Sequence, residues 1–261
     1  MKRKIYLALS IVFVLVFVGS VAGIGITLYR YRQADEVYSD LQYRYVVPIP
    51  QETEQTSDDT VMPEQNEIAV TPISVNFDAL TQENGDIVGW LYCEDTPINY
   101  PVVQSHDNDY YLHRDLNGKY LVSGTLFTDY RCSTVGTDQN HIIYGHNMKN
   151  NTMFGTLVKY KDQDYYNEHP ILYYLTPEKN YAIELFAGMV TTADSEVYTP
   201  EFDGAEKFKT FLQNIKTKST FVSDVSVNEA DHIVTLSTCS YEFGNARYVI
   251  FGKLTCLSEQ D

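Results

Sequence analysis

Polar and apolar positions divide the chain into three stretches of different character. Residues 5–29 are apolar almost throughout, interrupted only by Ser10, Ser20, Thr27 and a few glycines. About 20 such residues suffice to cross a hydrocarbon core. Lys2, Arg3 and Lys4 precede the run, and Arg30 and Arg32 follow it. Three basic residues on so short a flank predict a cytoplasmic N-terminus, with the bulk of the chain outside the membrane. The small residues Ser20, Ala22 and Gly23 keep a cleaved signal peptide open as the alternative, and on either reading the remainder is exported. Residues 33–70 then carry nine acids against one base, Arg44, and residues 48–67 are poor in bulky apolar side chains. Such a segment buries too little surface to offset its ordering entropy, which predicts a stalk. Residues 33–45 are compatible with a few further turns of the membrane helix. The expected organisation is a cytoplasmic tip and anchor over 1–32, an acidic linker over 33–73 and one folded domain over 74–261.

In that last stretch the pattern changes to short apolar runs separated by turn residues. A short helix is expected at 76–84, with Phe77, Leu80 and Thr81 on one face and Gly85 as its stop. Strand-like runs follow at 88–92, 98–103, 124–127, 142–144, 171–175, 181–190, 233–236 and 248–254. Residues 176–180, Thr-Pro-Glu-Lys-Asn, read as a hairpin turn. Strands at this spacing predict a barrel or sandwich rather than alternating strand and helix. The clearest helix is at 205–215, where Phe208, Phe211, Leu212 and Ile215 follow an i, i+3, i+4, i+7 pattern. Asp203 and Glu206 have capping-box spacing at its start. A weaker helix is expected over 153–161. The fold class is therefore mainly β: a closed barrel of about eight strands with helices inserted in its connections, behind an N-terminal transmembrane helix.

Composition removes several classes of function. Lys and Arg number 19 against 35 Asp and Glu, a formal charge of −16. That balance argues against nucleic-acid binding, which needs clustered cations to neutralise phosphates. About half of the charge lies in 33–70, so the folded domain is only moderately acidic. Four cysteines are too few for a disulfide scaffold at this length, but one of them can be a reactive thiol. Cys93 and Cys132 sit in ordinary strand-to-turn contexts, and Cys256 follows the last strand.

Cys239 differs from the other three. It ends the run His232-Ile-Val-Thr-Leu-Ser-Thr-Cys239, so an apolar strand delivers a thiol at its tip. A polar loop over 240–245 follows, and the chain re-enters a strand at Arg247. A hairpin between the two strands would return Arg247 beside Cys239. An adjacent guanidinium favours a thiolate or donates to a developing oxyanion. Residue statistics alone favour a buried inert Cys239 beside a solvated Arg247, and the Ser-Thr-Cys placement at the strand end brings the two readings level. A nucleophilic cysteine needs a base. Of the six histidines, His146 follows Gly145 at the end of an apolar strand, where an imidazole would be exposed and positioned. His141 and His146 lie five apart, on opposite faces of a regular strand, and so cannot converge on one ion. No HExxH or CxxC occurs, so no metal site is expected.

The stretch Thr235-Leu-Ser-Thr-Cys239, with Arg247 eight residues on, resembles the signature TLxTC…R of the sortases. Tyr144-Gly-His-Asn-Met148 followed by Met153-Phe-Gly-Thr-Leu157 is similar to the histidine region of class B sortases. Gly89-Trp-Leu91, Asn99-Tyr-Pro-Val-Val-Gln104, Asp107-Asn-Asp-Tyr-Tyr-Leu112 and Gly124-Thr-Leu-Phe-Thr-Asp-Tyr130 fit that class as well. The resemblance covers roughly 77–254, in order and without large gaps, and the helix at 205–215 resembles one that class carries. It implies a membrane-anchored cysteine transpeptidase that takes no zinc and no organic cofactor. Cys239 would attack the carbonyl of a Thr in the C-terminal sorting signal of a secreted protein. His146 would act as general acid and then base, and Arg247 would hold the substrate and stabilise the oxyanion. The acceptor would be an amine of a cell-wall precursor or of a pilin. Substrate contacts would fall to Asn108, Leu112, Tyr144, Tyr198, Ser237 and Thr238. Several members of the class carry an acid directly after the cysteine, where this chain has Ser240 and its nearest acid is Glu242.

Two other readings stay open at this level. An L,D-transpeptidase is also an exported Cys/His/Arg enzyme, but places its Arg two residues after the nucleophile. A papain-like order would put Cys before His, the reverse of what is found here. A non-catalytic anchored surface or pilus-assembly module with an inert Cys239 is the alternative of another class.

Overall fold

The computed structural model of the protein describes residues 2–49 and 71–259. The N-terminal helix α1 runs from Lys2 to Tyr45, and its stretch from Leu9 onward is long and apolar enough to cross a membrane. α1 is continuous past the expected end of the anchor. Its last turns pack on the folded domain, with Ala34, Tyr38, Leu41 and Tyr45 all buried. Steps of four, three and four residues put these side chains on one helix face. The first strand, β1 (Val46–Pro48), pairs antiparallel with β2 (Ile73–Val75). The start of the expected linker is thus docked structure, and most of its remainder lies outside the described residues.

Helix α2 (Phe77–Glu83) is capped by Asn76, whose side chain accepts from the Ala79 N–H at 3.1 Å. Eight strands then close a barrel: β3 (Ile87–Tyr92), β4 (Asn99–Val103), β5 (Leu126–Thr128), β6 (Asn140–Tyr144), β7 (Ile171–Leu175), β8 (Lys179–Thr192), β9 (Ile233–Cys239) and β10 (Ala246–Glu259). Their order around the barrel is β10-β8-β7-β3-β4-β5-β6-β9. All eight strand-like runs of the sequence appear. The pairs β4–β5 and β6–β9 are parallel and the rest are antiparallel. Parallel neighbours require long crossovers, and the β6-to-β9 crossover carries β7, β8, α3 (Gln163–Glu168) and α4 (Ala205–Thr217).

Side-chain alternation splits the core into two layers. On β10, Tyr248 and Ile250 join the barrel interior, whereas Val249 and Phe251 join an outer cluster. α4 covers that outer layer with Phe208, Phe211, Leu212 and Ile215, as its periodicity predicts. Its start differs from expectation. Gly204 is the N-cap and Asp203 pairs with Lys207 at 2.8 Å, so no capping box forms. The helix expected over 153–161 is reduced to a 3₁₀ turn at Leu157–Lys161. Asn151 and Met153 adopt positive φ, and Met153 bridges to Asn147, which turns the chain before a helix can start.

Candidate active site

Three adjacent strands bring the expected reactive groups to one end of the barrel. β9 and β10 pair with Arg247 directly opposite Cys239. β6 and β9 run in parallel register, Ile142 beside Thr235 and Tyr144 beside Ser237. Two residues further on, that register sets His146 level with Cys239. Two hydrogen bonds hold the continuation: the Thr238 hydroxyl donates to the Gly145 carbonyl at 2.8 Å, and the Asn147 amide to the Cys239 carbonyl at 2.8 Å. Gly145 is required here, because a Cβ would lie 2.4 Å from the Leu126 side chain and 2.6 Å from Phe154. Parity does the rest. Ile142 on β6, Ile233 on β9 and Val249 on β10 face the outer layer, and His146, Cys239 and Arg247 fall on the same side.

These groups line an outer-face groove of about 310 Å³. All nine expected site residues line it: His146, Cys239, Arg247, Asn108, Leu112, Tyr144, Tyr198, Ser237 and Thr238. Cys239 is the only cysteine that does. Cys93 and Cys132 are buried, and burial pushes their thiols up to about 11 and about 12, which removes them as nucleophiles at neutral pH. Cys256 is exposed near the end of β10.

His146 is oriented by the backbone. Its Nε2 lies 2.7 Å from the Leu112 carbonyl. A carbonyl only accepts, so Nε2 carries the proton and Nδ1 keeps the lone pair. Leu112, expected as a substrate contact, thus also fixes the imidazole tautomer through its main chain. The His113 ring stacks on His146, centroids 5.0 Å apart and planes 21° apart. Burial lowers the His146 pKa below the ordinary imidazole value; His113 adds to this and the Leu112 bond opposes it. The loop after Cys239 is pinned by Lys161, which pairs with Glu242 and donates to Ser240 at 3.3 Å. Lys161 first and Ser240 second hold the Glu242 carboxyl at about 2.

Sequence reasoning missed the group that organises the groove wall. Asp129 is fully buried at the end of β5. Its carboxylate accepts from Tyr144 at 2.8 Å, from Asn108 at 3.1 Å and from the Arg131 guanidinium at 2.7 and 2.8 Å. Arg131 also donates to the Tyr198 carbonyl at 2.9 Å, and the Tyr198 and Ser237 hydroxyls are 2.9 Å apart. Four expected substrate contacts thus hang on one carboxylate. The signal available in sequence was a lone Asp after an apolar strand, two residues before an Arg.

The pair His141 and His146 does not converge. His141 is buried with Nδ1 3.0 Å from Asp138 and Nε2 3.3 Å from Thr128. With Cys132 these residues lie close enough to hold a metal ion. Each is already engaged, however. The Asp138 carboxylate also accepts the Ser133 N–H, and Cys132 accepts from Ile142. The cluster is a hydrogen-bonded brace between β6 and the preceding loop.

Comparison with known proteins agrees with this geometry. A family model described as the sortase domain matches residues 91–255. The chain is 44% identical to Sortase B of Listeria monocytogenes over 177 residues, 67% of this chain and 72% of that protein. It is 34% identical to Sortase B of Staphylococcus aureus over 184 residues, 70% of this chain and 75% of that one. Among solved structures it is similar to sortase B from B. anthracis in complex with AAEK1, with a TM-score of 0.71, 36% identity and coverage of 88% of this chain and 99% of that one. A Staphylococcus aureus sortase B–substrate complex gives a TM-score of 0.67 at 34% identity, covering 70% of this chain and 85% of that chain.

Proposed function

This chain belongs to the sortase family as a class B cysteine transpeptidase, and on that premise we propose that it cuts the C-terminal sorting signal of a secreted protein after a Thr and transfers the acyl group to an amine of the cell wall or of a pilin. The observation that carries the reading is the row His146, Cys239, Arg247 across three neighbouring strands, in a groove that holds no other thiol.

Nδ1 of His146 takes the Cys239 S–H proton as the sulfur attacks the Thr carbonyl carbon, and the carbonyl electrons move to oxygen. Arg247 donates to that oxyanion; its fork spends one N–H on the Ala246 carbonyl at 3.1 Å and keeps others for the substrate. As the tetrahedral centre collapses, the C–N bond breaks and His146 delivers a proton from Nδ1 to the leaving amine. A thioester remains. The acceptor amine then attacks the same carbon, Nδ1 takes its proton, the C–S bond breaks and Cys239 is restored. Side chains fill every role, so the proposed cycle uses no metal and no organic cofactor. Asn108, Leu112, Tyr144, Tyr198, Ser237 and Thr238 hold the sorting peptide along the groove. Basic residues before the apolar helix favour a cytoplasmic N-terminus, with α1 as the anchor and the catalytic domain extracellular.

A sorting-peptide library assayed with amine acceptors tests the scheme. Cys239→Ala should abolish both cleavage and transfer, and a methanethiosulfonate reagent should block activity by labelling Cys239. Arg247→Lys should reduce kcat/KM by about 100-fold or more, the loss expected for an oxyanion donor. Normal turnover by Cys239→Ala would overturn this mechanism, and an absence of turnover by the unsubstituted protein would favour a non-catalytic module instead.

A further inference from the structure

We propose that Tyr38, on the membrane-proximal turns of α1, is a positioning residue for His146; the inference rests on the catalytic role assigned to His146 above. Tyr38 is buried between the helix and the barrel, and it reaches the histidine by two routes.

The first route starts at its hydroxyl, which donates to the Gly124 carbonyl and lies 3.2 Å from the Thr125 hydroxyl. Gly124 has φ +54°, and a Cβ there would sit 2.3 Å from the Leu112 carbonyl oxygen. Its backbone therefore presses against the very oxygen that receives the His146 Nε2–H. Thr125 fixes the same turn from both sides. Its N–H donates to the Tyr111 carbonyl at 3.1 Å and its hydroxyl to the Arg114 carbonyl at 2.8 Å.

The second route runs through the ring. Tyr38 meets Tyr100 edge to face, centroids 5.1 Å apart. The Tyr100 hydroxyl accepts from the Met153 N–H at 3.1 Å. Met153 bridges to Asn147, and the next residue, Phe154, donates its N–H to the His146 carbonyl at 3.0 Å. The hydroxyl thus supports the acceptor of the imidazole, and the ring supports the backbone that carries it. Helix docking by itself would not need this convergence. Arg44, six residues on, pairs with Glu83 of α2, and its partners Asp40, Tyr45 and Glu83 lie on neither route.

The test uses the full chain in detergent micelles or nanodiscs. Tyr38→Phe keeps the ring packing and deletes the hydroxyl route. It should lower kcat about tenfold, as expected for a displaced catalytic group, with KM for the sorting peptide within about twofold. In the Cys239→Ala background without substrate, the same substitution should shift the His146 imidazole N–H resonance and speed its exchange with solvent. Arg44→Ala should lower the melting temperature slightly yet leave kcat and that resonance unchanged. An unmoved resonance with wild-type kcat in Tyr38→Phe overturns the proposal. So does an equal fall in kcat with Arg44→Ala, which would make the effect one of docking alone. His146→Ala separates the two levels of inference. If it retains activity, the role of His146 fails, while the resonance measurement still decides whether Tyr38 positions the ring.

Discussion

Asp129 and His146 illustrate how one residue is set by what faces it. Burial alone would raise the Asp129 pKa, but the Arg131 side chain and N–H, with Tyr144, outweigh it and hold the carboxyl below the usual range. A depressed folded pKa adds stability above the unfolded value, near 3.9, and that stability is lost as pH falls through the folded pKa. Asp129→Asn should therefore cost about 1–3 kcal/mol near neutrality, because a neutral amide serves Tyr144, Asn108 and the half-exposed Arg131 less well than the carboxylate. The difference from wild type should shrink in urea titrations below pH 4. Its sorting-peptide KM should rise while Cys239 still reacts with thiol reagents, since the charge holds the groove wall rather than the nucleophile. At His146 the shift runs in the same direction but from the opposite cause, because here the charged form is disfavoured. Burial and the stacked His113 disfavour the cation, so the resting imidazole is neutral at pH 7 with Nδ1 ready for proton transfer. His113→Gln removes both the ring cover and a like-charged neighbour. The His146 titration midpoint followed by NMR should move up, and the limb of the pH–rate profile that it controls should move the same way.

Elements were legible in the sequence where the information is local. The eight strands follow from short alternating runs, and α4 from the spacing of Phe208, Phe211, Leu212 and Ile215. The hairpin that faces Arg247 with Cys239 was legible too, because six loop residues separate the strands. The parallel β6–β9 pair was not, since the partners lie more than 90 residues apart and neither run names its neighbour. Met153 was misread for a related reason: a helix-compatible sequence is overridden by its backbone bridge to Asn147. That long-range pair makes a prediction of its own. Thr238→Val keeps the shape but deletes the hydrogen bond that carries the β6–β9 register past its last paired residues. It should cost about 1 kcal/mol of stability. The fall in kcat should exceed what that stability loss explains, because the bond fixes the offset between His146 and Cys239. In the outer layer on the same side of the barrel wall as the groove, Phe211→Ala removes a ring packed edge-on against Phe251. A loss of about 3–5 kcal/mol in chemical unfolding is expected there, with the groove chemistry otherwise intact.

At the scale of the molecule, the acidic stretch changes meaning. Read as sequence, it spaces an anchor from a barrel. In the structure the chain leaves the barrel side at β1 and returns beside it at β2, with the Ile49 N–H donating to the Pro72 carbonyl at 2.8 Å. The two described ends of that stretch are thus held side by side. On the proposed anchoring, α1 itself links the barrel to the membrane. Tyr29 ends the apolar run and Ala34 is already buried on the barrel, a rise of about 7.5 Å along a helix. The cue was present in the sequence as Ala34, Tyr38, Leu41 and Tyr45, but nine acids among 38 residues masked a single apolar stripe. Two truncations separate the roles. A protein beginning at residue 30 retains the docked turns and β1, whereas one beginning at residue 71 loses both. Burying Tyr38, Leu41 and Tyr45 contributes about 1.5–3 kcal/mol per side chain before ordering costs. A net loss of a few kcal/mol corresponds to a melting temperature lower by roughly 5–15 °C for the shorter protein. Replacing residues 51–70 by a short Gly-Ser link in the longer protein should change the melting temperature by at most about 2 °C, because loop-closure entropy depends weakly on length. Removing six acids from an already acidic chain should make that small change an increase, larger at low salt than at high salt. Equal melting temperatures for the two truncations would detach α1 from the folded body and return the acidic stretch to the role of a stalk.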